Sequence, residues 1–206
     1  MDWTKEEVRF LKTLKNPDRI QGFLDDIAYN PNYECRSPRW VIKKRSAHCF
    51  EGALFAAAAL EFIGYPPLIV DMRAVNDDDH VIAVFRENGY WGAVAKSNFT
   101  SLRFREPVYR SLRELVMSYF DFFFNIIGQK TLRSYSPPFN LSGFSSRSWE
   151  TTDEDLEYIG DKIESLYHFP LLTDEMISKL SKASDSMLKA GLLGSDASGL
   201  FKPVRE

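Results

Sequence analysis

The chain has 206 residues, of which 44% are hydrophobic and 14% aromatic. That composition is typical of a folded globule and excludes collagen-like and disordered chains. The length allows one well-buried core, or one core with a helical appendage. The formal net charge of -3 gives no electrostatic reason to expect nucleic acid as a partner.

The sequence indicates neither a membrane span nor a secretory signal. The longest apolar run, residues 53–63, contains Glu61 and falls short of the roughly 18 residues that a membrane span needs. The first residues contain neither the basic nor the apolar segment of a secretory signal. We therefore expect a cytoplasmic protein, without a membrane partner, whose thiols are reduced.

Metal-ligand spacing is not found in the sequence. The two cysteines, Cys35 and Cys49, form no CxxC pair, and the three histidines are scattered. We expect neither a metal nor a cofactor, and a reducing compartment disfavours a disulfide between the cysteines. The acids at 77–79 are interpreted as a solvated turn rather than a cation site.

Two helices and a loop are predicted before residue 46. Apolar residues recur at helical spacing over 4–14, and Asn16-Pro17 begins a second helix that ends near residue 30. Residues 31–46 lack periodicity, which predicts a loop with a short extended piece at 40–42.

A third helix is predicted over 48–63. Ser46 can cap its start, Cys49 lies in its first turn, and Gly64 followed by two prolines ends it. The helix is rich in alanine, so a sheet or another helix can approach it closely.

Three successive strands are predicted after this helix, at 68–75, 80–85 and 90–96. Glu87-Asn-Gly is a hairpin turn between the second and third strands. We therefore expect antiparallel pairing.

The second half of the chain predicts helices at 107–124, 152–166 and 173–188, with an irregular Ser/Pro/Phe-rich stretch at 134–149 that is typical of a lid or binding segment. The expected fold class is α+β, in one domain over 1–206. Its core covers about 45–125 and a helical appendage covers about 150–190.

Cys49 and His80 carry the clearest chemical signal. A thiol at a helix N-terminus feels the positive end of the helix dipole, which favours the thiolate. His80 begins a later strand, and an imidazole brought beside the thiol can take its proton. Together the two residues predict a cysteine nucleophile and its base.

Three sequence blocks carry a family resemblance. They are Cys49-Phe-Glu-Gly-Ala, Asp79-His80-Val-Ile-Ala-Val and Gly89-Tyr-Trp-Gly-Ala-Val. In the order Cys-led helix, His-led strand, hairpin and strand, they resemble the transglutaminase-like superfamily, a circularly permuted relative of the papain-type cysteine proteases. The match covers about residues 45–100. It implies a Cys-bearing buried helix packed on a small antiparallel sheet, flanked by N- and C-terminal helices.

The resemblance also implies a third catalytic residue, usually an aspartate about four positions after the tryptophan. No acid follows Trp91 here; the sequence runs Gly-Ala-Val-Ala-Lys-Ser97-Asn98. An asparagine amide oxygen can accept a hydrogen bond from an imidazole. The expected catalytic set is therefore Cys49, His80 and Asn98, with Ser97 as a weaker third member and the Cys49 N–H as one oxyanion donor.

Two functions stay open. The first is a cysteine-dependent acyl-transfer enzyme that acts on a peptide, a protein or a small amide through a thioester on Cys49. Water would complete a hydrolysis and an amine a transamidation. The second is a catalytically inactive domain of the same fold that serves as a protein-binding scaffold, which the missing aspartate favours. Acetyl transfer of the arylamine type is disfavoured because no Arg-Gly-Gly precedes Cys49. The apolar residues of 107–124 cover more than one helix face, which leaves a homo-oligomer open.

Overall fold

Helix α4, Cys49–Phe62, forms the centre of the protein. The structure is a computed structural model, and it describes residues 2–204. The helix is buried from Phe50 to Leu60, as expected for a helix that is apolar on every side. Gly64 ends it with φ +100°, a conformation that favours glycine.

An antiparallel sheet lies beside α4. Its strands are β3 (Leu68–Ala74), β4 (His80–Glu87), β5 (Tyr90–Val94), β6 (Arg105–Tyr109), β7 (Leu132–Tyr135), β8 (Phe139–Asn140) and β9 (Phe169–Pro170). The strand order is β6-β5-β4-β3-β7-β9, and β8 also pairs with β3. Asn88 and Gly89 turn the β4–β5 hairpin with φ values of 51° and 88°, as a two-residue turn of this kind requires.

The remaining elements surround this pair of layers. The other helices are α1 (Lys5–Leu11), α2 (Pro17–Asp26), α3 (Pro38–Lys44), α5 (Leu112–Phe120), α6 (Glu157–Glu164), α7 (Asp174–Ser178) and α8 (Asp185–Gly191). Two short strands, β1 (Ala28–Tyr29) and β2 (Ser46–Ala47), pair in parallel. Short 3-10 helices cover Thr100–Leu102, Leu141–Arg147 and Ala197–Gly199. The predicted α+β class is confirmed.

The sheet separates two hydrophobic clusters. Val81, Ala83 and Phe85 of β4 pack in the cluster that contains α4. Ile82 and Val84 pack in the other cluster, against α5. Alternate residues of a strand point to opposite faces, so β4 contributes to both clusters.

Three predictions of local structure are wrong. The predicted loop at 31–46 contains α3, which starts at Pro38, a residue suited to the first turn of a helix. The predicted helix at 107–124 is instead β6 followed by α5, whose N-cap is Ser111. The predicted helix at 173–188 is two short helices, α7 and α8.

The stretch predicted to be irregular, 134–149, holds the end of β7, strand β8 and a 3-10 helix. Within residues 2–204 no helix has the length and apolar character needed to cross a membrane.

Candidate active site

Cys49 is the first residue of α4 and its sulfur lies against the backbone of β4. The thiol donates to the Asp79 carbonyl oxygen at 3.8 Å. Burial raises the pKa of Cys49 to about 12, against a smaller lowering by a hydrogen bond from the Val81 backbone. At neutral pH the resting residue is therefore a thiol, because burial outweighs the helix dipole that was expected to favour a thiolate.

His80 lies on the other face of the sheet, among the aromatic side chains of the α5 cluster. Its ring centroid is 6.5 Å from that of Tyr119 and 6.2 Å from that of Phe123, both edge-to-face. Its Nε2 is 2.8 Å from the Leu102 carbonyl oxygen. Burial lowers the pKa of His80 to about 4, so the ring is neutral at pH 7.

The Leu102 carbonyl determines the tautomer of His80. A carbonyl oxygen can only accept a hydrogen bond, so Nε2 carries the proton. In the neutral ring, Nδ1 then has a free lone pair. His80 is thereby prepared as a proton acceptor at Nδ1.

Cys49 and His80 meet at a small cavity of about 50 Å³ at the start of β4, which both residues line. In the described part of the chain no hydrogen bond joins them. Cys49 approaches β4 from the α4 side and contacts its backbone, whereas the His80 ring extends toward α5. The structure thus brings the two predicted residues to one cavity, with no hydrogen bond between them among residues 2–204.

Asn98 does not take the position predicted for the third catalytic residue. Its Nδ2 donates to the Asp196 carbonyl oxygen and its Oδ1 accepts from the Asp196 N–H, both at 2.8 Å. The hydrogen bond predicted between Asn98 and His80 is wrong, because Leu102 receives the ring N–H instead. Ser97 Oγ accepts from the Phe99 N–H.

A second cavity, of about 410 Å³, opens beside Cys49 on the α4 face. Its lining is rich in carboxylates, which are Asp71, Asp78, Asp79, Glu157, Asp161 and Glu164. Tyr29 and Cys49 line both cavities. The larger cavity is therefore the open approach to the thiol, and its charge is negative. Nearby Asp78 and Asp71 also raise the pKa of the Cys49 thiol, by repelling the thiolate.

Asp71 and His168 form a buried pair that was not predicted as part of the site. His168 Nε2 lies 2.8 Å from Asp71 Oδ2, and both side chains are about 5% exposed or less. Burial raises the pKa of Asp71, against a lowering by the hydrogen bond to His168. The available signal was an acid within the apolar run of β3, because a buried carboxylate needs a partner. The identity of the partner could not be inferred, since it lies far along the chain.

The buried side chain of Glu51 positions the residues along one side of the larger cavity. Its carboxylate is fully buried and accepts from Asn30 Nδ2 at 3.0 Å, the Arg36 N–H at 3.2 Å and the His48 N–H at 3.1 Å. These bonds hold the segment 30–36 beside the first turn of α4. A residue two positions after Cys49 thus fixes one wall of its cavity.

The acids predicted to form a solvated turn have specific partners. Asp77 accepts from Thr131 Oγ1, and Asp79 Oδ1 accepts from the Ala74 N–H, both at 2.7 Å. Asp78 and Asp79 also face the cavity. Residues 2–204 contain no group of His, Cys, Asp and Glu that could hold a metal ion. Both cysteines are free.

Compared with models of known protein families and with curated proteins, the chain matches none. A function must therefore be inferred from the residues around Cys49.

Proposed function

We propose that the protein is a cysteine-dependent acyl-transfer enzyme of the transglutaminase-like kind, with Cys49 as nucleophile and His80 as base. One observation carries the proposal. Cys49 and His80 line the same cavity, and the Leu102 carbonyl holds the Nε2 proton of His80, which leaves Nδ1 as the acceptor. The Leu102 main-chain carbonyl would then orient the imidazole, as an aspartate or asparagine does in the cysteine enzymes that the chain resembles.

The proposed reaction begins with transfer of the Cys49 thiol proton to His80 Nδ1, directly or through one water in the small cavity. The sulfur attacks the carbonyl carbon of an amide. The C–N bond breaks, the amine leaves with the proton from His80, and the acyl group remains on sulfur as a thioester. Water or a second amine then attacks the thioester, which releases a carboxylic acid or a new amide and returns the thiol.

Two further features of the site would support this reaction. The Cys49 N–H, at the first position of α4, has no intrahelical acceptor and can stabilise the developing oxyanion. The larger cavity would admit a peptide, a protein segment or a small amide, and Tyr29 would form the wall that it shares with the smaller cavity. Because both thiols are free and a nucleophilic cysteine must stay reduced, we place the protein in the cytoplasm.

A catalytically inactive scaffold is the second candidate. It is favoured by the burial that raises the pKa of Cys49 to about 12, and by the missing hydrogen bond between Cys49 and His80 among the described residues. In that case the larger cavity would serve only to bind a protein partner.

Acylation of Cys49 distinguishes the two candidates. The protein is mixed with p-nitrophenyl acetate, an activated acyl donor, and its intact mass is followed with time. We expect one acetyl adduct, mapped by peptide mass to Cys49 and removed by neutral hydroxylamine, as a thioester requires.

Two matched variants control this experiment. Cys35 also lines the larger cavity, and burial raises its pKa to about 12 as well, but His80, the proposed base, does not line that cavity. Cys35→Ser should keep the adduct and Cys49→Ser should lose it. Equal, slow acylation of both cysteines would reject the enzyme and leave the scaffold.

A further inference from the structure

The segment 196–204, which we call the strap, crosses the end of the sheet where β4 begins. It follows α8 and includes the short 3-10 helix Ala197–Gly199. Two asparagines bind it there: Asn76, which follows β3, and Asn98, which follows β5. Because β3 and β5 run antiparallel to β4, their C-terminal ends lie at the end of the sheet where β4 begins with His80.

Each asparagine binds the backbone of one strap residue at two points. Asn98 exchanges two hydrogen bonds of 2.8 Å with the N–H and carbonyl of Asp196. Asn76 Nδ2 donates to the Val204 carbonyl at 3.0 Å, and its Oδ1 accepts from the Val204 N–H at 2.8 Å. This is the pattern by which a paired strand residue is bound, and it recognises main chain rather than side chain.

Between these two points the strap lies against the candidate active site. Gly199, Leu200 and Phe201 line both the small cavity and the larger one, as Cys49 does. The strap therefore lies between the two cavities and next to the thiol.

Only glycine fits where the strap crosses Tyr29. A Cβ placed on Gly199 would lie 2.5 Å from the Tyr29 ring and 3.2 Å from Asn98 Nδ2. The two residues that follow, Leu200 and Phe201, are apolar and half-buried. The surface under the strap thus selects a residue without a side chain, followed by two apolar residues, on a backbone bound at both ends.

We propose that this surface is a peptide-binding site, and that the strap occupies it as an intramolecular competitor. The ligand it would take is an extended peptide with a glycine over Tyr29 and apolar residues after it. That such a peptide is the acyl donor rests on the proposed function, whereas its binding beside Cys49 does not.

The first test displaces the strap. In the Cys35→Ser background, where Cys49 is the only thiol, Gly199→Ala should push the strap off Tyr29 and raise the rate of alkylation by iodoacetamide about tenfold. Asn76→Ala, which removes one anchor and does not line either cavity, should act in the same direction. Lys202→Ala, at an exposed strap residue outside both cavities, should leave the rate unchanged.

The second test refills the site. A synthetic peptide with the sequence of residues 195–204 is added to the Gly199→Ala variant in the Cys35→Ser background, which keeps both asparagines, with circular dichroism as a check that this variant is folded. The peptide should slow the alkylation of Cys49 in proportion to its occupancy, whereas the same peptide with alanine in place of glycine should not.

Two results would overturn the proposal: unchanged alkylation in both Gly199→Ala and Asn76→Ala, or equal protection by the glycine and alanine peptides. Neither readout needs turnover. A glycine peptide that protects Cys49 while p-nitrophenyl acetate fails to acylate it would support the binding site and reject the enzyme.

Discussion

The α4 face of the sheet opens into a cavity, whereas the α5 face is closed by aromatic side chains. On the open face Cys49 and Asp71 line a space of about 410 Å³. On the closed face His80 packs between Tyr119 and Phe123. The proposed nucleophile and the proposed base therefore belong to different environments, and both line the small cavity where β4 begins.

This difference has a chemical consequence. Burial keeps Cys49 protonated, with a pKa of about 12, and keeps His80 neutral, with a pKa of about 4. Transfer of the proton in the resting state would create two charges in surroundings that disfavour both. The reaction proposed here is thus expected to need a bound substrate, because its developing oxyanion and the Cys49 N–H would favour the charged arrangement.

The largest expected effect follows from replacing His80, the proposed base, on the closed face of the sheet. His80→Gln keeps an N–H donor for the Leu102 carbonyl but cannot accept the thiol proton. We expect the rate of Cys49 acylation to fall roughly 10²- to 10⁴-fold, measured by intact mass in single-turnover mixing. Tyr119→Phe, on the same face, is the control and should acylate normally. An unchanged rate in His80→Gln would remove His80 from the mechanism.

The next effect concerns the buried pair on the open face. His168→Ala removes the 2.8 Å partner of the buried Asp71 carboxylate and leaves it with Arg73 at 3.9 Å, and we expect a loss of roughly 3 kcal/mol in the free energy of unfolding. Urea denaturation followed by circular dichroism measures it. The double variant Asp71→Leu, His168→Leu removes both polar groups of the pair and should cost clearly less. Equal losses in the two variants would show that packing, and not the charge, determines the stability at this position.

The central part of the fold could be predicted because its signals are local. The stop at Gly64 and the Asn88-Gly89 turn fix the ends of α4 and of the β4–β5 hairpin, and each can be inferred from a few neighbouring residues. Helix α3 and the start of α5 have such signals too, in Pro38 and in Ser111 with Glu114, but Pro38 lies in a stretch without apolar periodicity and Ser111 lies within an apolar stretch.

The site was less predictable because its partners are distant in sequence or are main-chain atoms. Any residue supplies a carbonyl, so nothing in the sequence singles out Leu102 as the acceptor for His80. His168 lies 97 positions from Asp71, and Asp196 lies 98 from Asn98. The strand alternation of β4 does place His80 and Val81 on opposite faces, but only the structure shows on which face α4 packs.

Burial of His80 on the closed face should make the free energy of unfolding depend on pH. An unfolded His80 binds a proton below its ordinary pKa of 6.5, while the folded protein resists protonation until about pH 4. The unfolded state binds more protons in this window, so stability falls as the pH falls through it, by about 3 kcal/mol in total.

Comparison with His80→Gln isolates this contribution. Burial raises the pKa of Asp77 to about 6, which acts in the opposite direction, because there the folded state binds the extra proton. The free energy of unfolding of wild type and of His80→Gln is measured by urea denaturation at pH 7 and at pH 4. Because both proteins contain Asp77, its contribution cancels when the two are subtracted at each pH. A difference independent of pH would mean that His80 is accessible to protons in the folded protein.

The smallest expected effect tests the charge of the open cavity. Asp78 raises the pKa of the Cys49 thiol by repelling the thiolate, and the thiolate is the reactive form. Asp78→Asn should therefore speed iodoacetamide alkylation of Cys49 about two- to threefold at neutral pH, and added salt should shrink the gain because it screens the charge. Asp161→Asn, at another acid of the cavity, is the control. A gain that salt leaves unchanged would point to a local opening of the 77–79 turn, since electrostatic repulsion in an open cavity must weaken as ionic strength rises.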